Sequence, residues 1–436
     1  MSAVRPEVEE KQQFEEYKRK IGIKNRIAFI LDGAGFNTGG AFLEANTVLP
    51  TYVSTLTNSP LLIGLVSTTR NFGYLIPQIF VARYMEKLPN KKPLMIKAGW
   101  VMRTAAFGLA FSALFSRNTP GLALAVFYAC LVVYALADGF GGLPWTDIVA
   151  KTIPPEKRAS LFGTMQAVGG IGAFLSGFLV RTLLEQQERY PMNYFAVMFI
   201  GAIFMLASLL VMHFITDLDG ETSYERASVI EYLKRLPSTI MGNVAFRRVL
   251  VVRMLVGGLY LVLPFFAIHA QSALNFPKSI VGLFISAQMV GSVVGGPLWG
   301  YLGDNRGAYW VVRLVALLTG ATGVLALCAR LLFSLGWIFL TYAVYFLLYF
   351  CLGASLGGVW IGFSNYVIDV ADNLQRATFL GVLNTVTAPL TLLSVVGGWI
   401  LQTSGYVALF ALMVGVLCVA CMLAWKLPDS RNLRPE

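Results

Sequence analysis

Five charged residues stand inside long apolar stretches of the sequence, where a charge is costly. Asp32, Glu44, Arg70, Arg103 and Asp138 all fall in the first third of the 436-residue chain. In a bilayer each such charge costs about 2.5–3.5 kcal/mol on insertion scales, so each needs a compensating role. A buried carboxylate can exchange a proton, and a buried guanidinium can hold an anion or neutralise a carboxylate. The pattern therefore indicates proton or ion chemistry inside a membrane.

Glu44 is the leading candidate for proton coupling and also a candidate for substrate binding. Asn37, Gly40, Glu44, Thr47 and Thr51 are spaced by three or four residues, which predicts one polar stripe along a helix. A polar stripe on a membrane helix more often faces water or protein than lipid. We therefore expect Asn37, Glu44 and Thr47 to contact substrate. The alternative is that Glu44 is paired permanently with a neighbour for packing.

The other four charges have more than one possible role. Arg70 is expected either to hold a substrate carboxylate or phosphate, or to neutralise Glu44 or Asp138. Asp138 is the second candidate for proton coupling, with pairing to Arg103 as the alternative. Arg103 and Asp32 are interpreted as buried charges that support the structure. The sequence alone leaves the pairing open.

The composition determines which elements must position these residues. Hydrophobic residues make up 56% of the chain and charged residues only 13%, about half the share of a soluble domain. About a dozen apolar runs are each long enough to cross the bilayer as a helix. The fold class is therefore an all-α polytopic membrane protein. With two histidines, no nucleotide-binding motif and no paired metal ligands, the sequence indicates neither an enzyme nor a bound cofactor.

The positions of the basic residues predict the topology of the chain. The net charge of +11 would suit a nucleic-acid partner, but Lys and Arg concentrate in the segments on the side of both termini. By the positive-inside rule both termini are then cytoplasmic, in the cell (inner or plasma) membrane. We predict spans near residues 25–56, 60–83, 94–116, 120–148, 158–184, 192–216, 247–271, 278–302, 309–333, 337–368, 377–402 and 405–426.

A repeat divides these spans into two sets of six. The segment 158–163, Arg-Ala-Ser-Leu-Phe-Gly, recurs 218 residues later as 376–381, Arg-Ala-Thr-Phe-Leu-Gly. Such a repeat predicts two six-helix bundles related by a pseudo-two-fold axis along the membrane normal, the organisation of an alternating-access transporter. The predicted parts are an N-terminal tail (1–24), a first bundle (25–216), a cytoplasmic linker with an amphipathic helix (217–246), a second bundle (247–427) and a C-terminal tail (428–436).

A loop motif after the eighth span carries a family resemblance. Residues 300–307, Gly-Tyr-Leu-Gly-Asp-Asn-Arg-Gly, resemble the G-x-L-x-D-x-x-G signature of the major facilitator superfamily. In that family the aspartate meets the N-terminus of a helix in the other half and latches the cytoplasmic side shut. The resemblance implies a conformational latch whose members are Glu86, Arg158, Gly300, Asp304, Gly307 and Arg376. Asp304 is expected near Arg158, and Glu86 near Arg376.

The resemblance also implies where a substrate would bind. The first and fourth spans and their second-half counterparts, the seventh and tenth, line the central cavity of such proteins. On the latter two, Tyr260, Tyr345 and Trp360 offer aromatic faces, and Asn365 a neutral polar group. Two patterns of drug-exporting members are absent. Asp138 stands where they often carry an arginine, and the fifth span lacks their Gly-Pro pair.

These observations together predict a proton-coupled secondary transporter. Export of an amphipathic organic solute is the preferred interpretation. The alternatives are a transporter of lipid or lipid-linked substrates, a proton-coupled symporter of a small anionic metabolite, and a signalling or assembly protein on the transporter fold. The expected partners are a small-molecule substrate, protons and membrane lipid, without nucleic acid. The protein is expected to function as a monomer.

Overall fold

The protein is described here by a computed structural model that covers residues 4–85, 88–153, 155–219, 242–370 and 376–430. The regular secondary structure of this part of the chain consists of helices. The helices of the first half are α1 (Val4–Phe42), α2 (Val48–Val53), α3 (Pro60–Met85), α4 (Lys92–Ser112), α5 (Pro120–Thr152), α6 (Pro155–Glu185) and α7 (Met192–Met212). Those of the second half are α8 (Val244–Val256), α9 (Phe265–Ser272), α10 (Ile280–Arg306), α11 (Ala308–Ser334), α12 (Ile338–Val370), α13 (Arg376–Thr387) and α14 (Leu393–Trp425).

The helices form the two six-span bundles that the repeat predicts. Nine helical segments of the described chain are long and apolar enough to cross a membrane. The longest, Val382–Trp425, contains most of the last two predicted spans, which meet at Gly405 with a φ of 77°. That left-handed conformation favours glycine. The first span consists of α1 and α2, and the second consists of α3. These two spans are more polar and complete the set of twelve. The predicted amphipathic helix of the linker lies outside the described residues.

Three predicted spans are interrupted in the structure. The first is broken between Phe42 and Val48, so α1 and α2 are separate helices. The seventh passes through a 3₁₀ turn, Gly257–Leu261, and the eleventh through another, Ala388–Leu392. The prediction of one continuous stripe from Asn37 to Thr51 is therefore wrong in its geometry. Glu44 lies in the break, where its backbone is not helical.

Within each bundle, polar contacts join the helices at the face on the side of the termini. This face is called the terminal face below. In the first half, Asn25 donates to the Thr216 carbonyl at 2.7 Å, and the Lys91 ammonium lies 2.9 Å from the Asp147 carboxylate. In the second half, Arg313 donates to the Trp425 carbonyl at 2.9 Å. These contacts join segments that are distant in sequence, so each bundle is held together at this face.

Towards the other face, called the opposite face, the two halves meet directly. The Thr68 hydroxyl on α3 lies 2.5 Å from that of Ser394 on α14 and donates to the Thr391 carbonyl at 3.1 Å. The Gln271 amide of α9 donates to the Thr51 hydroxyl of α2 at 2.9 Å. Thr51 and Gln271 lie near the opposite ends of their spans, and Thr68, Thr391 and Ser394 lie between the middle of their spans and the opposite face. The described hydrogen bonds between the halves thus hold this side closed.

A second contact between the halves depends on two glycines. Gly177 of α6 and Gly282 of α10 lie so close that a Cβ atom on Gly177 would stand 2.3 Å from the Gly282 carbonyl oxygen. A Cβ atom on Gly282 would stand 2.0 Å from the Gly177 oxygen. Beside them, the Ser286 hydroxyl donates to the Phe174 carbonyl at 2.9 Å. Small residues permit this close approach of two membrane helices.

Candidate functional site

A cavity of about 630 Å³ lies within the first half and is bounded on one side by α10 of the second half. Its walls come from α1, the break after α1, and helices α3 to α7. The second half contributes Ile285, Gln288 and Met289. The charged residues in the wall are Asp32, Glu44, Arg70, Arg103 and Asp138. The five buried charges that stand out in the sequence therefore share one cavity.

Glu44 is half-buried in this wall and is held by the residue two positions further on. Its Oε1 atom accepts from the Asn46 side-chain amide at 2.9 Å and from the Asn46 backbone N–H at 3.2 Å. The side-chain oxygen of Asn46, Oδ1, in turn accepts from the Ser67 hydroxyl at 2.9 Å. Within the described part of the chain Glu44 makes no ion pair, although Arg70 lies near enough to act on its charge. Its partners are neutral.

Arg70 forms an ion pair with Asp138 across the cavity wall. The Nη2 atom of Arg70 donates to Oδ2 of Asp138 at 2.7 Å, and the two side chains are 21% and 14% exposed. The guanidinium also lies over the Tyr134 ring, 5.0 Å from its centre, and 5.9 Å from the centre of the Tyr74 ring. Of the pairings left open by the sequence, the structure contains Arg70 with Asp138.

Asp32 and Arg103 are linked through a shared serine. The Ser208 hydroxyl donates to Oδ1 of Asp32 at 2.6 Å and accepts from Nη2 of Arg103 at 3.0 Å. Trp145 donates to the other Asp32 oxygen at 2.8 Å, and Arg103 donates to the Met205 carbonyl at 3.1 Å. Both charged side chains are almost fully buried, with 4% exposure each. This network joins α1, α4, α5 and α7 around one pair of charges.

The charges of the cavity wall do not cancel. Three carboxylates (Asp32, Glu44 and Asp138) face two guanidiniums (Arg70 and Arg103). Each guanidinium is paired with one carboxylate. Arg70 bonds Asp138 directly, and Arg103 bonds Asp32 through Ser208. The cavity therefore has one excess negative charge when Glu44 is ionised and is formally neutral when Glu44 is protonated. Such a site favours a proton or another cation at Glu44.

Methionines form much of the apolar part of the wall, which sequence reasoning missed. Six of the 14 methionines of the chain line the cavity, namely Met95, Met102, Met165, Met205, Met212 and Met289. The methionine side chain is unbranched and polarisable, so it adapts to ligands of different shape. Spread over three helices of the first half and one of the second, these residues form no pattern that the sequence alone would reveal.

The substrate-binding residues predicted in the second half do not line this cavity. Trp360 is 68% exposed, and Asn365 is also exposed. Tyr260 is half-buried in the 3₁₀ turn after α8. Tyr345 is fully buried and bonds Nδ1 of His269 at 2.6 Å. The polar group that the second half brings to the cavity is instead Gln288, with 7% exposure.

Of the remaining predicted residues, Asn37 lines the cavity, whereas Thr47 is fully buried outside its wall. The latch stays a prediction. Glu86 and the side chains of Arg158, Asp304 and Arg376 lie outside the described part of the chain. The structure does describe the two glycines of the loop signature, Gly300 and Gly307. Gly300 lies within α10, and Gly307 follows its last residue with a φ of 95°, a conformation that favours glycine.

Comparison with known proteins identifies the fold and the family. The family model described as Major Facilitator Superfamily matches residues 27–263 and 249–436, which together cover nearly the whole chain. The chain belongs to the major facilitator superfamily. It is similar to an uncharacterized MFS-type transporter, YfiU, of Bacillus subtilis (strain 168), with 23% identity over 379 residues. That alignment covers 73% of this chain and 68% of the relative.

Solved structures of transporters share the fold of this superfamily member. A D-xylose-proton symporter matches with a TM-score of 0.70 and 14% identity, over 95% of this chain and 99% of that one. The nucleoside transporter NupG matches with a TM-score of 0.68 and 14% identity, over 93% and 99%. The protein is thus a multi-pass membrane transporter of small molecules. At this identity the neighbours establish the fold and leave the substrate open.

Proposed function

We propose that this transporter exchanges protons for an amphipathic organic cation, which it exports from the cytoplasm. The observation that carries the proposal is the single excess negative charge of the cavity, located at Glu44. A proton and a cationic substrate would compete for that charge, and competition of this kind is sufficient to couple their movements in opposite directions. Asp138 has a secondary role in coupling, through its pair with Arg70.

The lining of the cavity supports an amphipathic substrate. Glu44, Asn37, Asn46 and Gln288 offer polar groups, and the six methionines offer an adaptable apolar surface. The faces of Tyr74 and Tyr134 border the same space, although Arg70 lies close to both rings. A cavity of about 630 Å³ falls within the range of sites for small organic ligands.

A small anionic substrate is a weaker candidate for this site. It would need a free guanidinium, whereas Arg70 is bonded to Asp138 at 2.7 Å and Arg103 to Ser208 and the Met205 carbonyl. A lipid-linked substrate would fit the half-polar, half-apolar lining equally well. The cation proposal is preferred because it accounts for the third carboxylate.

The direction of transport rests on topology. The bias of Lys and Arg supports cytoplasmic termini, and the described hydrogen bonds between the halves lie between the middle of the spans and the opposite face. In this conformation substrate would therefore enter from the cytoplasm. As the halves rock, the proposed latch of Asp304 with Arg158, and of Glu86 with Arg376, would close that entrance. The boundaries proposed for the bundles are residues 25–216 and 247–427.

The experiment that tests the proposed function is transport in reconstituted vesicles with tetraphenylphosphonium as the probe. A pH gradient, acidic inside, should drive accumulation of the probe in vesicles with wild-type protein, and an ionophore that collapses the gradient should abolish it. Glu44→Gln should remove the response to the gradient. Asn118→Ala, a change in an exposed loop, serves as the control. Gradient-driven accumulation that persists in Glu44→Gln would refute the assignment of coupling to Glu44.

A further inference from the structure

Asn46 holds the carboxylate of Glu44 more closely than any other described residue. Two of its N–H groups, one from the side chain and one from the backbone, donate to the same oxygen at 2.9 and 3.2 Å. This arrangement depends on the break between α1 and α2. In a continuous helix the backbone N–H of Asn46 would bond to the carbonyl four residues earlier and would not be available to Glu44.

Ser67 supports the Asn46 amide in the orientation that Glu44 requires. Its hydroxyl lies 2.9 Å from Oδ1 of Asn46 and 2.8 Å from the Ala45 carbonyl oxygen. An ionised carboxylate only accepts hydrogen bonds, so the amide must turn its NH₂ group to Glu44 and its oxygen to Ser67. Ser67 has 1% exposure and lies on α3, so this support comes from a separate, packed helix.

We propose that Asn46 and Ser67 are positioning residues for Glu44, which favour its ionised form and so set the pH at which it exchanges its proton. The inference rests on the proposed function, in which Glu44 is the coupling carboxylate. Hydrogen bonds to an ionised carboxylate stabilise it relative to the protonated acid. Without the Asn46 side chain, Glu44 would retain its proton to a higher pH and release it less readily to a competing cation.

The test is an infrared titration of the purified, reconstituted protein, because it needs no substrate. The C=O stretch of a protonated carboxylic acid is followed as the pH is raised, and the part lost in Glu44→Gln is assigned to Glu44. In Asn46→Ala the midpoint of this band should move up by about one pH unit, the shift that a tenfold change in proton affinity produces. In Asn118→Ala the midpoint should stay at the wild-type value.

Ser67 provides a second, milder variant. Ser67→Ala should move the midpoint in the same direction by a smaller amount, and Ser67→Thr, which keeps the hydroxyl, should return it towards the wild-type value. An unchanged midpoint in folded Asn46→Ala and Ser67→Ala would overturn the inference while leaving Glu44 as the coupling residue. A band unaltered in Glu44→Gln would show instead that Glu44 does not titrate, and the proposed function would fail with it.

Discussion

Ser67 and Thr68 are consecutive residues of α3 whose hydroxyls bond in different directions. Ser67 bonds the segment that holds Glu44, at Asn46 and at the Ala45 carbonyl. Thr68 bonds the second half, at Ser394 and at the Thr391 carbonyl. One turn of helix thus connects the candidate proton site with the contact between the halves. A shift of α3 that accompanied a change at Glu44 would act directly on that contact.

A covalent link at this contact should lock the transporter. With the five native cysteines replaced, Thr68→Cys combined with Ser394→Cys should form a disulfide, because the two hydroxyl oxygens lie 2.5 Å apart. The opposite face could then no longer open, so oxidation should stop probe transport in vesicles and reductant should restore it. Transport that continues at full rate in fully cross-linked protein would show that this contact need not separate.

The glycine contact between α6 and α10 should be equally sensitive to substitution. A Cβ atom on Gly177 would stand 2.3 Å from the Gly282 carbonyl oxygen, so Gly177→Ala forces the two helices apart. We expect the variant to favour the state open at the opposite face. Labelling of Ser286→Cys by a water-soluble maleimide from that face should increase several-fold. Gly163→Ala, where a Cβ atom meets nothing within 4 Å, is the matched control. Equal labelling in both variants would contradict the expectation.

Arg70 distinguishes a cation site from an anion site. Arg70→Gln leaves Asp138 without its partner and raises the excess negative charge of the cavity from one to two. Binding of tetraphenylphosphonium, measured by equilibrium dialysis, should be retained or strengthened. The free energy of unfolding should fall by about 1–3 kcal/mol. This loss is smaller than for a fully buried pair because both side chains are partly exposed.

The double variant, Arg70→Gln with Asp138→Asn, restores the wild-type charge balance and should recover part of the lost stability. Loss of cation binding in folded Arg70→Gln would instead place Arg70 in direct contact with substrate and favour an anionic ligand.

We expect Arg103 to stabilise the fold and to have no direct role in transport. It is 4% exposed and reaches Asp32 through Ser208, so Arg103→Leu leaves a buried carboxylate without compensation. Breaking such a buried pair costs about 3–5 kcal/mol. Unfolding in sodium dodecyl sulfate should reveal this loss, and adding Asp32→Asn should return much of it. A fully stable Arg103→Leu protein that fails to transport would indicate a role in transport and not in packing.

The buried charges could be found from the sequence, but their partners could not. A charge inside an apolar run is costly wherever the helix packs, so Asp32, Glu44, Arg70, Arg103 and Asp138 were recognisable without a structure. Pairing depends on how helices turn towards each other. Arg70 and Asp138 are 68 residues apart in the chain, and spacing alone left Glu44 as an equal partner.

Other parts of the site left only a weak signal in the sequence. Gly33, Gly35, Gly39 and Gly40 indicated that the first span could bend or unwind. The break itself, residues 43–47, contains no proline or glycine, so its position was not predicted and the spacing favoured one stripe through Glu44. Asn46 acts as a partner of Glu44 only because of that break. The aromatic residues of the second half were predicted from the family resemblance, whereas the structure brings Gln288 to the cavity and leaves Trp360 exposed. The helical architecture, by contrast, follows from composition and the repeat.

The most direct test of the central claim is proton release on cation binding. Purified protein in a weakly buffered detergent solution, with a pH indicator, is mixed with tetraphenylphosphonium. If the cation displaces a proton from Glu44, the wild-type protein should release up to one proton per molecule, and Glu44→Gln should release none. Since Glu44 becomes ionised as the pH rises, affinity for the cation should also weaken as the pH is lowered. Binding without proton release, or equal release from Glu44→Gln, would contradict the account.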